Sequence, residues 1–302
     1  MTTAIETFGL TKRYGGITAV AGLDLRVQTG QVFGFLGPNG AGKSTTIRML
    51  LALQRPTQGR ASLLGRDAAA DSVEIHRRTG YLPGDLELFP RLTGRQHISW
   101  FLRARGVRDD SLAGQLVERF RVVVDRPVRE LSKGNRQKIG LVLAFMHRPE
   151  LLVLDEPTSG LDPLMQHEFE NLLRETAGQG GTVFLSSHEL DEVQRVTDRI
   201  AIIKEGRLVA EDTVDGLRRA APRTMEVRFR HPVDPAGLRA VPGVRVEACD
   251  GPQVTLQVTG EIAPVLKIIA GYDPVDLISR PPDLDELFLG FYRDRAEASH
   301  AN

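Results

Sequence analysis

The sequence predicts an α/β fold with a mostly parallel sheet, followed by a small α+β domain. Three observations support this fold class. Apolar, strand-like runs alternate with helical stretches over roughly the first 216 residues. An insertion rich in Arg and Leu, with little strand character, begins at about Asp85. After residue 217 the pattern changes to alternating strands, a hairpin and an apolar helix.

The elements of the first part are predicted from their local patterns. Short apolar or alternating runs indicate strands, which are QVFGFLG (31–37), RASLLG (60–65), LLVLDE (151–156), TVFLSS (182–187) and RIAIIKEGRLVAED (199–212). The last run is a hairpin with Glu205 and Gly206 at its turn. Helices are predicted for KSTTIRMLLAL (43–53), NRQKIGLVLAFMH (135–147), PLMQHEFENLLRETA (163–177) and LDEVQRVTD (190–198). This alternation places ligands at the carboxyl ends of the strands.

Two domains follow from these patterns. The first covers residues 1–216 and contains a helical subdomain at about 85–145. The second, 217–302, is a small α+β accessory domain with a hairpin around Asp250 and Gly251 and a helix in EIAPVLKIIAG (261–271). Near its end, one face of a predicted helix carries Leu284, Leu287, Phe288 and Phe291.

Composition excludes several classes of protein. The 39 basic and 39 acidic residues give a formal net charge of zero, so no global field draws the chain to nucleic acid. We find no signal peptide and no apolar run of about 18 residues that could span a bilayer. The single cysteine excludes an internal disulfide framework and fits a reducing cytosol.

A phosphate-binding loop is predicted at GPNGAGKST (37–45), between a strand and a helix. Its glycines let backbone N–H groups turn toward the phosphates of ATP, Lys43 reaches the β- and γ-phosphates, and Ser44 holds Mg²⁺. The predicted nucleotide-binding residues of the loop are Gly37, Asn39, Gly40, Ala41, Gly42, Lys43, Ser44 and Thr45.

Catalytic groups are predicted at the ends of two later strands. Asp155 leaves the strand LLVLD and is expected to hold Mg²⁺ together with Ser44. The adjacent Glu156 is expected to polarise the water that attacks the γ-phosphate. His188 follows TVFLSS, where its imidazole can bond the γ-phosphate or that water.

The order of these motifs resembles the nucleotide-binding subunit of ATP-binding-cassette (ABC) proteins, over roughly the first 215 residues. That resemblance implies a P-loop NTPase core and a head-to-tail pair of cassettes, the second expected to be an identical copy. It assigns the contacts with the partner's ATP to Ser132, Gly134 and Asn135 in LSKGN, the link between the sites to Asp162 in SGLD, and adenine stacking to Tyr14.

The chain departs from the family pattern at three positions. Lys133 and Asn135 stand where the family signature has Gly and Gln. Gly84, in GYLPGD, stands where the family has a Gln that contacts Mg²⁺ and the attacking water. We expect coupling there to pass through the loop backbone.

Within the family, GYLPGD, SKGNRQK and DELFLGFYR look closest to ATPase subunits of bacterial ABC-2-type exporters of the daunorubicin-resistance group. This implies a peripheral subunit at the cytoplasmic face of a bacterial membrane, which energises export of a drug or other hydrophobic compound through a separate transmembrane permease. A helix of that permease is expected to dock at the insertion, near Phe89, Trp100 and Phe101.

Two other functions were compared with this one. A soluble ABC ATPase acting on nucleic acid or the ribosome usually has two cassettes, long coiled coils or zinc modules, and none of these occurs in the sequence. The zero net charge also argues against a nucleic-acid partner. A metabolic kinase would need an acceptor site and would leave LSKGN and SGLD without a role.

Overall fold

The computed structural model describes residues 2–280. The chain divides into two compact units between Glu211 and Asp212, a few residues before the boundary expected at 216. Within the described part of the chain, no helix combines the length and the apolar character needed to cross a membrane.

The first unit begins with two long strands that the sequence patterns did not identify. Its elements, in chain order, are β1 Thr3–Tyr14, β2 Ile17–Gln28, β3 Val32–Leu36, α1 Lys43–Leu50, β4 Gln58–Leu63, β5 Arg66–Asp67, α2 Ser72–Arg78, β6 Thr79–Leu82, α3 Gly94–Ala104, α4 Ser111–Arg119, α5 Lys133–Phe145, β7 Leu151–Asp155, α6 Pro163–Gly178, β8 Thr182–Ser187, α7 Leu190–Val196, β9 Arg199–Lys204 and β10 Arg207–Thr213. A short 3₁₀ helix at Val128–Glu130 precedes α5.

The central sheet has the order β10-β9-β3-β8-β7-β6. Strand β3 pairs in parallel with β8 and β9, and β7 pairs in parallel with β6 and β8. All residues of β3, β7 and β8 are buried, which explains why their sequences read as continuous apolar runs. Leu36 pairs with Ser187, and Asp155 pairs with Ser186, so the carboxyl ends of these three strands meet at one edge.

A second, antiparallel sheet has the order β2-β1-β4-β5. The strand predicted in RASLLG therefore exists, but it belongs to this sheet and not to the parallel one. One apolar core includes side chains of both sheets, among them Ile5, Leu63, Phe33 and Phe184. Strand β1 is bulged and shows irregular burial, so its sequence lacks a clean period of two. In β2, residues 23–27 alternate between buried and exposed, a strand pattern that was overlooked.

The insertion is helical, as the sequence predicts, and consists of α3, α4, the 3₁₀ turn and the start of α5. Helix α3 begins with a capping box, in which the Thr93 side chain accepts from Gln96 N–H and the Gln96 side chain accepts from Thr93 N–H. Helix α5 leaves the insertion and is buried along most of its length. It therefore joins the insertion to the core.

The second unit contains α8 Val214–Ala220, β11 Arg223–Phe229, α9 Ala236–Arg239, β12 Val244–Asp250, β13 Gln253–Val258, α10 Ala263–Gly271 and β14 Pro274–Ser279. Its sheet has the order β12-β13-β11-β14 and its own apolar core. The hairpin predicted around Asp250 and Gly251 joins β12 to β13. The helical face predicted from Leu284 to Phe291 lies outside the described residues.

Candidate functional site

The glycine-rich loop leaves β3 at Leu36 and enters α1 at Lys43. Gly40 and Gly42 have φ of +80° and +108°, which L side chains rarely adopt. A Cβ on Gly42 would lie 2.5 Å from the carbonyl oxygen of Ala19, and one on Gly37 would lie 2.5 Å from that of Ile203. The loop conformation therefore requires glycine at these positions.

Lys43 is folded onto the loop that it follows. Its Nζ donates to the carbonyl oxygens of Gly37 at 2.6 Å and Pro38 at 3.2 Å. The same ammonium lies 3.2 Å from Glu156 Oε1, although the Lys43 side chain is only 5% exposed. The three N–H donors of the ammonium thus meet two main-chain carbonyls and one carboxylate, and phosphate oxygens can replace the carbonyls as stronger, charged acceptors.

Asp155 and Glu156 differ in environment although they are adjacent. Asp155 is buried at the end of β7, where its Oδ1 accepts a short hydrogen bond from Ser186 Oγ. Glu156 has φ of +49°, an uncommon conformation for a residue with a side chain. Its N–H donates to the carbonyl oxygen of Ser186 at 3.1 Å, which holds the turn against β8. The two carboxylates are thus directed differently by one tight turn.

His188 completes the arrangement from the end of β8. Its Nδ1 lies 2.7 Å from Glu156 Oε2, and its side chain is 48% exposed. The Glu156 carboxylate therefore contacts Lys43 through one oxygen and His188 through the other. A carboxylate held by two cationic or donor groups can orient a water molecule and accept its proton.

A cavity of about 370 Å³ unites most of the predicted nucleotide-binding residues. Its lining includes Asn39, Gly40, Gly42, Lys43, Ser44, Thr45, Gly84, Asp155, Glu156 and His188. Ala41 is buried behind it. Tyr81 also lines it, and burial, helped by the charge of Asp155, raises the pKa of that phenol to about 12. Tyr81 therefore stays neutral beside the carboxylates.

Tyr14 does not line this cavity. Its hydroxyl donates to Gln54 Oε1 at 2.6 Å, and Lys12 Nζ lies 5.2 Å from the centroid of its ring. Tyr14 is 45% exposed, and the bond of its hydroxyl does not occupy the faces of its ring, so the adenine contact expected from the resemblance stays a prediction.

The oxygen donors of the cavity fit a magnesium ion. Asp155 Oδ2 faces the space beside Gly84, while Ser44 in the first turn of α1 lines the same cavity. Among residues 2–280 no group of three or more His, Cys, Asp or Glu side chains could hold a metal. The oxygens of Asp155 and Ser44 match the needs of Mg²⁺, which takes one or two protein oxygens and completes its shell with phosphates and water.

Gly84 lies directly against Asp155. A Cβ at position 84 would lie 3.3 Å from Asp155 Oδ2, so a longer side chain would enter the cavity beside that carboxylate. The position therefore has the location expected for the missing Gln of the family pattern, without its polar group.

The LSKGN segment forms the beginning of α5. Ser132 caps the helix, and its Oγ accepts from Asn135 N–H at 3.2 Å. Gly134 packs against the carbonyl oxygen of Gly160, so a side chain there would clash. Asp162 caps α6 by accepting from Met165 N–H at 3.0 Å. Ser132, Gly134, Asn135 and Asp162 line a second, open cavity.

Asn135 requires a correction. Its amide was expected to be available to a nucleotide, but Oδ1 accepts from Val123 N–H at 2.8 Å and Nδ2 donates to Val123 O at 2.9 Å. The side chain is also buried. Asn135 therefore fixes the start of α5 to the insertion, because both ends of its amide are already used.

Two polar residues near the site were missed at the sequence level. Gln137 donates from Nε2 to the carbonyl oxygens of Glu156 and Pro157. Glu192 Oε2 accepts from Thr158 Oγ1 at 2.7 Å and from Ser187 Oγ at 3.2 Å, and burial raises its pKa. One signal for Gln137 existed, since it follows Gly134 by three residues and so shares its helix face.

Comparison with known proteins identifies this arrangement. A family model described as ABC transporter matches residues 20–159. The daunorubicin resistance ATP-binding protein DrrA3 of Streptomyces coeruleorubidus is 35% identical, over 99% of this chain and 99% of its own. The chain belongs to the ATP-binding subunits of ABC transporters. As a member of this family it binds and hydrolyses ATP, and it has the P-loop NTPase core expected from the sequence.

Other members show the same relationship. The bacitracin transport ATP-binding protein BcrA of Bacillus licheniformis is 37% identical over 76% of each chain. A solved ATP-binding subunit of an ABC transporter has a TM-score of 0.65 and 31% identity, over 72% of this chain and 92% of that one. A dimeric bacterial ABC cassette shares the fold with a TM-score of 0.64 at 22% identity, over 70% of this chain and 98% of that one. ATP-binding subunits of this family work with transmembrane partners and dimerise.

Proposed function

We propose that this chain energises export of a drug or other hydrophobic compound through a separate transmembrane subunit, using Glu156 as the base for ATP hydrolysis. The observation that carries the catalytic assignment is the Glu156 carboxylate, held between Lys43 at 3.2 Å and His188 at 2.7 Å. The export assignment is supported by similarity along the whole chain to a protein named for daunorubicin resistance.

Nucleotide binding starts at the phosphate loop. Backbone N–H groups around Gly40 and Gly42 meet the phosphates, and Lys43 exchanges its loop carbonyls for β- and γ-phosphate oxygens. Ser44 and Asp155 would hold Mg²⁺, which neutralises phosphate charge. Asp155 suits this role because burial and the Ser186 hydrogen bond fix one oxygen while the other faces the cavity.

Hydrolysis needs a water molecule in line with the γ-phosphate. Glu156 orients that water and accepts its proton, while His188 holds the carboxylate from the other side and can bond the γ-phosphate. When Lys43 moves to the phosphates, it releases the Glu156 oxygen that it contacts. The base thus becomes free to act when the nucleotide binds.

The second nucleotide-binding subunit is a copy of this chain, arranged head to tail. Ser132, Gly134 and the N-terminus of α5 present donors to the partner's ATP, and Asp162 lies beside them along the same cavity. Closure of the pair around two ATP molecules supplies the force on the membrane subunit, and hydrolysis releases it.

The membrane subunit docks on the first unit from the cytoplasmic face of a bacterial membrane. An apolar cavity of about 340 Å³ next to the insertion is lined by Leu51, Leu86, Phe89 and Phe101, with Arg105 at its wall. Phe89 is 60% exposed. A helix of the membrane subunit could place an apolar end in this cavity and pair an acidic group with Arg105.

Recovery of the chain from its own cells tests this function. A tagged chain, extracted from membranes in mild detergent, is expected to bring down a multi-span membrane protein in stoichiometric amounts. Deletion of the chain is expected to increase sensitivity to the exported compound. Recovery only with ribosomes, nucleic acid or soluble proteins would contradict the export assignment and leave the ATP site in place.

A further inference from the structure

The residue that carries the predicted base has a backbone conformation that needs support from outside its own turn. Glu156 has φ of +49°, and residues held in this region persist only where surrounding contacts over-determine them. One contact comes from β8, through the hydrogen bond from Glu156 N–H to Ser186 O. The carbonyl side of the same residue is held by α5.

Gln137 supplies that second contact. Its Nε2 donates to Pro157 O at 2.9 Å and to Glu156 O at 3.3 Å, so one amide holds two successive carbonyls of the turn. Gln137 is 4% exposed. An amide buried to this degree and bonded twice to main chain has few alternative positions, because loss of its bonds would leave buried polar groups unpaired.

The first turn of α5 holds the same loop at two further points. Lys133 Nζ donates to Ser159 Oγ at 2.9 Å. Gly134 packs against the carbonyl oxygen of Gly160 without room for a side chain. Residues 133, 134 and 137 lie on one face of α5, because 137 follows the other two by three or four positions. This face contacts the segment 156–160, which begins with the base itself.

We propose that Gln137, assisted by Lys133, is a positioning residue for Glu156 and links the signature segment of a chain to the base of the same chain. The inference rests on the proposed function, because it takes Glu156 as the base and Ser132 and Gly134 as the contacts to the partner's ATP. The α5 turn that meets the partner's nucleotide also holds the turn that aims Glu156. Binding of the partner's ATP at the signature segment therefore fixes the position of Glu156, the base that acts on the ATP bound by its own chain.

The test compares Gln137→Met and Lys133→Met with two exposed controls, Gln115→Met and Lys267→Met. Gln137→Met is expected to lower kcat for ATP hydrolysis about 10- to 100-fold, because the carboxylate is misplaced. The Kd for ATP is expected to stay close to that of the unsubstituted chain, and the Tm to fall by a few degrees, because two carbonyls lose their buried donor. Lys133→Met is expected to lower kcat less and to reduce the Hill coefficient for ATP. The controls are expected to change neither parameter.

A double substitution separates positioning from a structural role. If Gln137 acts through the Glu156 carboxylate, Gln137→Met is expected to have no further effect on the residual rate of Glu156→Gln. Gln137→Glu is expected to regain activity relative to Gln137→Met as the pH is lowered, since burial favours the acid, which can donate to a carbonyl.

The possible results lead to distinct conclusions. An unchanged kcat in Gln137→Met, or an equal fold-loss in the Glu156→Gln background, would overturn the inference. Near-normal hydrolysis by Glu156→Gln alone would overturn the assignment of the base, and the inference with it. That single variant has an intact Gln137, so failure of the proposed function is distinguishable from failure of the inference.

Discussion

Glu156 and His188 lie at the ends of two neighbouring parallel strands, and the imidazole Nδ1 is 2.7 Å from the carboxylate Oε2. Neither residue is near the other in sequence, so the pairing of β7 with β8 creates the contact. The remaining Glu156 oxygen meets Lys43, which belongs to the loop after β3. Three adjacent strand ends thus build one polar cluster.

Loss of the lysine is expected to remove nucleotide binding. Lys43→Ala deletes the buried ammonium that is available to the phosphates and is expected to weaken ATP affinity by at least about tenfold, or about 1.4 kcal/mol. Titration with a fluorescent ATP analogue measures this affinity. Lys267→Ala, at an exposed position of α10 in the second unit, provides a charge-matched control that is expected to bind normally. Unaltered affinity in Lys43→Ala would contradict the role of the loop.

Loss of the imidazole is expected to slow hydrolysis without preventing binding. His188→Ala leaves the loop and Lys43 in place but frees the Glu156 oxygen that Nδ1 holds. We expect kcat to fall about 100-fold, in the range typical of groups that assist proton transfer. His167→Ala, on an exposed face of α6, is the matched control. A kcat within twofold of the unsubstituted chain would remove His188 from the mechanism.

A side chain at position 84 is expected to disturb coupling more than chemistry. Gly84→Gln places an amide beside Asp155 Oδ2, where a Cβ is already 3.3 Å away. Because this chain is expected to couple through the backbone of its loop, we expect basal ATP hydrolysis to remain and transport to fall. Reconstituted vesicles with the membrane subunit measure both rates. A gain in transport would show that the usual Gln mechanism still operates here.

A half-buried histidine away from the site, His147, is expected to make folding stability sensitive to acid. Burial, together with the nearby charge of Arg105, lowers the pKa of His147 to about 4 from an ordinary 6.5. Below pH 6.5 the unfolded chain therefore takes up a proton that the folded chain refuses, and stability is lost as the pH falls from 6.5 toward 4.

Thermal unfolding of His147→Gln against pH tests this sign. At pH 7.5 the unsubstituted chain is expected to have the higher Tm, because its imidazole Nε2 donates to the carbonyl oxygen of Thr79. This advantage is expected to shrink as the pH is lowered, because Gln has no proton to gain. A Tm difference that stays constant with pH would contradict the assignment.

The sequence predicted the site better than the architecture around it. Loop 37–45 and the residues Asp155, Glu156 and His188 could be located because each follows a buried strand, and parallel strands bring their carboxyl ends to one edge. Strand β1 could not, since bulges shift its register and blur the alternation, whereas the alternation of residues 23–27 in β2 was overlooked. The antiparallel sheet that contains β4 was therefore not predicted.

The roles of individual polar side chains were harder to predict than their location. Asn135 reads as a free donor in the sequence, but the fold brings Val123 against it and uses both ends of its amide. Tyr14 reads as a stacking aromatic, which stays a prediction, and no sign of the hydrogen bond from its hydroxyl to Gln54 appears in the sequence. Such partners are distant along the chain, so no local pattern encodes them.

The central claim is that Glu156 is the base of an ATPase that works as a pair. Its most direct test is Glu156→Gln, measured for ATP binding, for ATP-dependent dimerisation and for hydrolysis under identical conditions. We expect normal binding, a dimer that persists with ATP, and hydrolysis reduced at least about 100-fold. Hydrolysis near the rate of the unsubstituted chain, or a variant that stays monomeric with ATP bound, would contradict the account.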